Sequence, residues 1–292
     1  MSSEISLTEG EADFHVEGAG QPCKTHYKIF GTFPSPSGVR PLIVLHGGPG
    51  VPHNYLLPIR HLNQNSIPVI FYDQLGCGLS THLPHLTGTA GAAFWTPQLF
   101  LSEITNLLSH LKITTYSLLG NSWGGMLASL HGISQPPGLH KLIIADSPAS
   151  MPLWITAALK LRSQLPQDVQ DTLSKHEKDG TTDSAEYEAA SQVFYERHLK
   201  EDSTVYNVMN GPNEFHITGT LKEWSVVDEV HKIKVPTLLI NGKYDEAQDE
   251  VVEPFFRGIE KVKWVRFAES SHLPQLEEME EYLKVVREFL AD

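Results

Sequence analysis

The feature that most constrains this chain is a short apolar run, Thr115–Leu119, that passes directly into Gly120-Asn121-Ser122-Trp123-Gly124-Gly125. A helical pattern with Met126, Leu127 and Leu130 on its apolar face follows at once. A strand that reverses into a helix through so few residues needs glycines on either side of the turn. Such a turn lifts the residue at its apex above a sheet edge, at a helix N-terminus. The apex residue here is Ser122, so the local pattern predicts an exposed, activated hydroxyl and not a packing serine.

The rest of the chain supplies a sheet to carry that turn. Leu42–Leu45, Val69–Tyr72, Leu142–Ala145, Thr237–Ile240 and Val262–Phe267 are continuous aliphatic or β-branched runs. Strands buried on both faces read this way, and their alternation with helical patterns predicts an α/β fold with a mostly parallel central sheet. A weaker pair, Ala12–Val16 and Thr25–Phe30, predicts an antiparallel edge. Thr96-Pro97 marks a helix start, followed by the stripe Phe100, Ile104, Leu107, Leu108 and Leu111. Tyr282, Val285, Val286 and Phe289 predict a C-terminal helix.

A hydroxyl nucleophile requires a base, and the base requires an orienting carboxylate. In folds built around such an elbow the chain order is Ser, then Asp or Glu, then His. Thr237–Ile240 ends in Asn241-Gly242-Lys243-Tyr244-Asp245, and Val262–Phe267 is followed by Ser270-Ser271-His272. Both loops fall at the C-terminal ends of strands, as Ser122 does. The chain holds 15 histidines, and position after the last strand singles out His272. His46-Gly47-Gly48-Pro49-Gly50, directly after Leu42–Leu45, is the expected oxyanion loop. Its Gly48 N–H and the Trp123 N–H are the two predicted donors.

The Ser-to-Asp interval is far longer than the Asp-to-His interval, and the excess is helical and charged, with no convincing buried strand. Leu153–Leu165 and Ala185–Leu199 are its clearest helical patterns. The expectation is an α/β-hydrolase core of residues 1–150 and 232–292 carrying a helical cap over 151–231. Trp154, Phe194, Tyr195 and Trp224 are the cap side chains expected to shape a pocket.

These segments together resemble the proline iminopeptidase family of α/β-hydrolases. The resemblance runs through His46–Gly50, Tyr72-Asp73-Gln74-Leu75-Gly76-Cys77-Gly78-Leu79-Ser80, Gly120–Gly125, Gly211-Pro212-Asn213-Glu214-Phe215 and Tyr244-Asp245-Glu246. The last two segments are especially similar to archaeal tricorn-interacting aminopeptidases and fungal relatives. Leu75 departs from the pattern, since bacterial members usually carry Arg there. The resemblance implies a serine aminopeptidase that releases an N-terminal residue, proline preferred, with Glu214 and Glu246 binding the free amino group. An α-amino group with a pKa near ~8 is mostly protonated at neutral pH and favours carboxylate partners. Read from the residues alone, Glu214 is a solvated acid of the cap and Glu246 an acid that could equally face solvent.

Other classes stay open at this stage. The same machinery would serve an L-amino-acid amidase, or an esterase or acyl hydrolase of a biosynthetic pathway. A non-catalytic α/β-hydrolase that binds a ligand or a partner protein is a third reading. A net charge of −13 argues against nucleic acid and anionic membrane surfaces as partners. Cys23 and Cys77 are too few for a disulfide framework or a metal site, and Cys77 reads as a small packed thiol. His82 and His85 have a metal-like spacing but no partner cluster, and Asp73 is expected to tie backbone groups at a turn. No cofactor or metal is expected. With neither a signal-peptide pattern nor an apolar stretch of membrane length, the expectation is a cytoplasmic protein whose substrate is a small peptide or amino-acid amide.

Overall fold

The computed structural model describes residues 5–194 and 204–291. Its centre is an eight-stranded sheet: β1 (Leu7–Phe14), β2 (Cys23–Phe30), β3 (Leu42–Leu45), β4 (Val69–Tyr72), β5 (Tyr116–Asn121), β6 (Leu139–Ala145), β7 (Thr237–Gly242) and β8 (Val262–Phe267). The order across the sheet is β1-β2-β4-β3-β5-β6-β7-β8. Strands β1, β2 and β4 pair antiparallel, and every pair from β4 to β8 is parallel.

The continuous apolar runs follow from burial on two sides, because successive side chains of a strand point to opposite faces. Ile43, Leu45, Leu118, Leu142, Ile144 and Leu239 join one core cluster, with the helices Pro97–His110 and Trp123–Ile133. Their alternates Leu42, Val44, Leu119, Ile143, Ala145, Leu238 and Ile240 join a second cluster. That second face is covered by the 3-10 segment His53–Asn65 and by Tyr282, Val285 and Val286 of the helix Met279–Leu290. Each fully buried Leu of this double layer is worth about 2–5 kcal/mol against truncation to Ala.

Several boundaries differ from expectation. Strand β1 begins at Leu7 and ends at Phe14, so the expected Ala12–Val16 is set too late. Only Ala12 and Phe14 of β1 are buried, and its polar first half has no apolar run to betray it. Strand β6 starts at Leu139, ahead of the run Leu142–Ala145, since His140 and Lys141 interrupt the apolar pattern although Lys141 is buried. Lys141 Nζ donates to the carbonyls of Phe289 and Ala291 at 2.9 and 2.6 Å, which closes the end of the last helix.

Between β6 and β7 the described residues form the helices Met151–Arg162, Gln167–Asp179, Ala185–Phe194 and Thr204–Met209. Gln167–Asp179 was not expected, since only Leu173 and His176 of it are buried. Val169 is its one other apolar side chain, and the rest are charged or polar, so the apolar stripe is too short to mark it. Tyr195 and Leu199 lie outside the described residues. No described helix is long and apolar enough to cross a membrane.

Candidate active site

Segments that follow β3, β5 and β6 converge on one partly open cavity. It is lined by Gly48, Ser122, Trp123, Met126, Pro148, Met151, Trp154, Asn210, Glu214 and Leu221. The loop after β3, the elbow after β5, the segment after β6, the helix Met151–Arg162 and Asn210, Glu214 and Leu221 thus face the same space.

Ser122 sits at φ 56° and ψ −123°, outside the regions ordinary residues adopt, between β5 and the helix Trp123–Ile133. Its N–H donates to Ala145 O at 2.9 Å, and its carbonyl accepts from Gly125 N at 2.8 Å, so both sides of the strained residue are held. A side chain at Gly124 would run into the Leu45 carbonyl, which explains why the second residue of the helix is glycine.

The His46–Gly50 loop is shaped by a buried clamp. His46 Nε2 accepts from Gln74 N at 2.9 Å, and its Nδ1 donates to Gly47 O at 3.0 Å. Burial pushes the His46 pKa down to about 4, so the ring is neutral and both nitrogens have defined roles. The Gln74 side chain donates to His46 O and accepts from Trp123 Nε1, at 3.0 and 2.9 Å. It therefore ties the loop after β3 to the start of the elbow helix. Gly47 N–H is committed to Tyr55 Oη at 2.7 Å. Gly48 has φ 108°, and a Cβ there would lie 2.6 Å from Gly50 N, so the loop needs glycine at this point.

His272 Nδ1 lies 2.6 Å from Asp245 Oδ1 and 3.7 Å from Glu246 Oε2. Asp245 is fully buried, and its Oδ1 also accepts from Ala247 N at 2.9 Å. The His272 ring stands edge-on to Trp154, with centroids 6.1 Å apart. Burial works against an imidazolium at His272, but the carboxylates beside it, Asp245 first and then Glu246, outweigh it and hold its pKa well above the ordinary value.

The sequence-predicted residues divide in their placement. Ser122, Gly48, Trp123 and Glu214 line one cavity. Asp245, Glu246 and His272 form one cluster, with one ligand-type atom of each within 4.8 Å of the others. Glu214 Oε1 accepts from Tyr206 Oη at 3.1 Å, and Glu214 O accepts from Trp154 Nε1 at 2.8 Å, so one aromatic neighbour holds its carboxylate and another its backbone. Trp154 is in the cavity wall, whereas Trp224 packs against the core cluster beneath it. Asp73 ties its turn as expected: its carboxylate takes His53 Nδ1 at 2.6 Å and Leu79 N at 3.0 Å. Met126, Pro148, Met151, Asn210 and Leu221 line the cavity without any sequence signal that separates them from packing residues.

The acid–histidine cluster is also the one described group spaced for a metal. Its closest pair argues against that use. Ligand atoms ~2.0–2.2 Å from one metal stand roughly 3 Å or more apart, whereas His272 Nδ1 and Asp245 Oδ1 are at hydrogen-bond distance, 2.6 Å.

A strained elbow serine, a glycine loop and an acid–histidine pair at the strand ends define an α/β-hydrolase. A family model described as alpha/beta hydrolase fold matches residues 40–279. The chain is 35% identical over 277 residues to the proline iminopeptidase of Heyndrickxia coagulans, covering 89% of this chain and 94% of that one. The crystal structure of a Mycobacterium smegmatis proline iminopeptidase superposes with a TM-score of 0.83 at 41% identity, covering 97% of each chain. The crystal structure of VinJ superposes with a TM-score of 0.87 at 42% identity, over 96% of this chain and 98% of that one. The chain belongs to the proline iminopeptidase family of α/β-hydrolases.

Proposed function

We propose that the chain is a serine hydrolase that releases an N-terminal amino acid, proline preferred, from peptides or amino-acid amides through an acyl-enzyme. The observation that carries this reading is Glu214 in the lining of the cavity that contains Ser122, with Glu246 beside His272. A carboxylate at that place binds a substrate ammonium and sets its distance from the nucleophile, which is what an exopeptidase needs. The relatives named proline iminopeptidase support the same substrate class.

In the proposed cycle His272 accepts the Ser122 hydroxyl proton at Nε2 as the oxygen attacks the carbonyl of the first residue. Asp245 holds the ring through Nδ1 and stabilises the imidazolium. The oxyanion forms against the N–H groups of Gly48 and Trp123, each worth ~2.7–4 kcal/mol in the transition state. The Gly47 N–H is already spent on Tyr55, so Gly48 is the loop's donor into the cavity. As the C–N bond breaks, His272 returns the proton to the leaving amine. Water activated by the same histidine then hydrolyses the ester and frees the amino acid. Residues 151–231 act as the helical cap that supplies Glu214 and Trp154, over a core of 1–150 and 232–292.

Turnover of a prolyl arylamide tests the proposal. Wild-type protein is expected to release the arylamine, and Ser122→Ala to release none above background. No turnover by the wild type, or equal turnover by the variant, rejects it.

A further inference from the structure

Behind the acid–histidine pair lies a second carboxyl that the proposed chemistry does not use. Asp146 follows β6 at φ 51°, with its N–H donating to Ile240 O of β7 at 2.8 Å. Its side chain is fully buried, as is that of Asp245. Asp146 Oδ2 accepts from Asn121 Nδ2 at 2.9 Å. Asp146 Oδ1 and Asp245 Oδ2 are both buried without an N–H or O–H partner. Yet the two carboxyls are within hydrogen-bonding reach of each other.

Two ionised carboxylates cannot face each other in a dry site, because neither oxygen has a proton to offer and the charges repel. One proton between them satisfies both orphaned oxygens at once. Its location follows from the other bonds: Asp245 Oδ1 already accepts from His272 Nδ1 and Ala247 N, two donors that favour its charge. Asp146 has a single donor, the Asn121 amide. We infer that Asp146 is a neutral carboxylic acid that donates from Oδ1 to Asp245 Oδ2 and acts as a positioning residue for the catalytic acid. This rests on the proposed roles of Asp245 and His272.

The bond completes a directional chain across the sheet edge. Gly47 N–H donates to Tyr55 Oη at 2.7 Å, Tyr55 donates to Asn121 Oδ1 at 2.8 Å, and Asn121 donates to Asp146. Asp146 donates to Asp245, which also holds His272. The oxyanion loop, the residue before the nucleophile and the base are thereby fixed by one hydrogen-bonded system. Burial first, and then the Asp245 charge, push the Asp146 pKa well above the carboxylate range. The other ionisable groups facing it are His272, Tyr55 from the segment after β3, and Tyr282 from the last helix.

The test reads protonation and not turnover, so it can fail while the Ser122 assay succeeds, or the reverse. Wild-type protein labelled with 13C at the aspartate carboxyl is expected to show the infrared carbonyl band of a protonated acid at neutral pH. The band is expected to be missing from labelled Asp146→Asn. No such band in the wild type, or one that survives in Asp146→Asn, overturns the inference. Kinetics give the second readout. Asp146→Ala is expected to lower kcat on a prolyl arylamide by at least about tenfold with little change in KM, since Asp245 loses a donor. Asp146→Asn returns an N–H donor and is expected to recover most of that loss, with the acid limb of kcat/KM unmoved. An acid limb displaced to lower pH by about one unit would mean that a charge had been removed, and also overturns the inference.

Discussion

Replacing Glu214 with Gln removes one charge from the cavity while keeping the shape of the side chain. The Oε1 atom that accepts from Tyr206 at 3.1 Å is retained, and the Trp154 bond is to the backbone carbonyl, so neither anchor is disturbed. On the proposed reading the variant loses the attraction between a carboxylate and the substrate ammonium. At ~4 Å and an effective dielectric of ~20 that attraction is about 4 kcal/mol before desolvation is deducted. Glu214 is half-buried and Glu246 remains, which places the net loss at the low end of the ~2–5 kcal/mol typical of such pairs. A loss of about 2 kcal/mol is a roughly thirtyfold fall in kcat/KM. The ammonium is present in ground state and transition state alike, so most of the fall belongs in KM. The assay compares a prolyl arylamide with an aryl ester that has no amino group, on wild type and Glu214→Gln. The ester is expected to change less than about threefold. An equal loss on both substrates would show that Glu214 shapes the site without reading the amine, and the aminopeptidase assignment would fall.

Other perturbations probe the frame around that site. The raised His272 pKa places the acid limb of kcat/KM above the ordinary histidine value, with activity rising as His272 loses its proton. A limb at or below that ordinary value would contradict the placing of the Asp245 and Glu246 carboxylates against His272. Glu103 is buried, and desolvation pushes its pKa from 4.5 up to about 7 despite bonds from Thr25 and Leu75. Its folded form keeps a proton that the unfolded chain releases, so stability falls as pH rises from about 4.5 to about 7, by about 3 kcal/mol at most. Chemical denaturation of Glu103→Gln at several pH values should show that slope reduced, and an unchanged slope refutes the assignment. Gly124→Ala drives a Cβ into the Leu45 carbonyl and is expected to destabilise by several kcal/mol or prevent folding, read as a fall in Tm. An unchanged Tm would mean that the elbow is looser than the structure shows.

What could be read in the sequence is what is local. Ser122 announces itself because strand, glycine turn and helix are contiguous, and His272 because it follows the last strand. Glu214 carried no such signal. Its place in the cavity wall depends on Tyr206 and Trp154, which the chain reaches only by folding, and only the resemblance of Gly211–Phe215 marks it in the sequence. Asp146 was invisible for a related reason. Asp146-Ser147-Pro148 reads as an ordinary turn, and the partners that give it meaning, Asn121 and Asp245, lie far away in sequence. The helix Gln167–Asp179 is hard to read because only Val169 and Leu173 give it an apolar period among charged and polar residues.

The electrostatic balance of the site connects these parts. Asp245 and Glu246 both face His272, at 2.6 and 3.7 Å, and Glu214 lines the cavity that contains Ser122. With Asp146 neutral, the free site still has more carboxylates than cations, and that excess favours a proton on the base. A protonated His272 cannot accept the Ser122 proton. On the proposed reading, a substrate that enters as an ammonium supplies the missing positive charge, and its pairing with the glutamates relieves His272 of the field that holds its proton. An uncharged acyl substrate brings no such compensation. Preference for a free amino terminus then comes from two sources: the amine is bound by Glu214, and its charge shifts the base toward the neutral form the reaction requires. The second source acts on kcat even where binding is saturated, because it alters the fraction of bound enzyme that is competent.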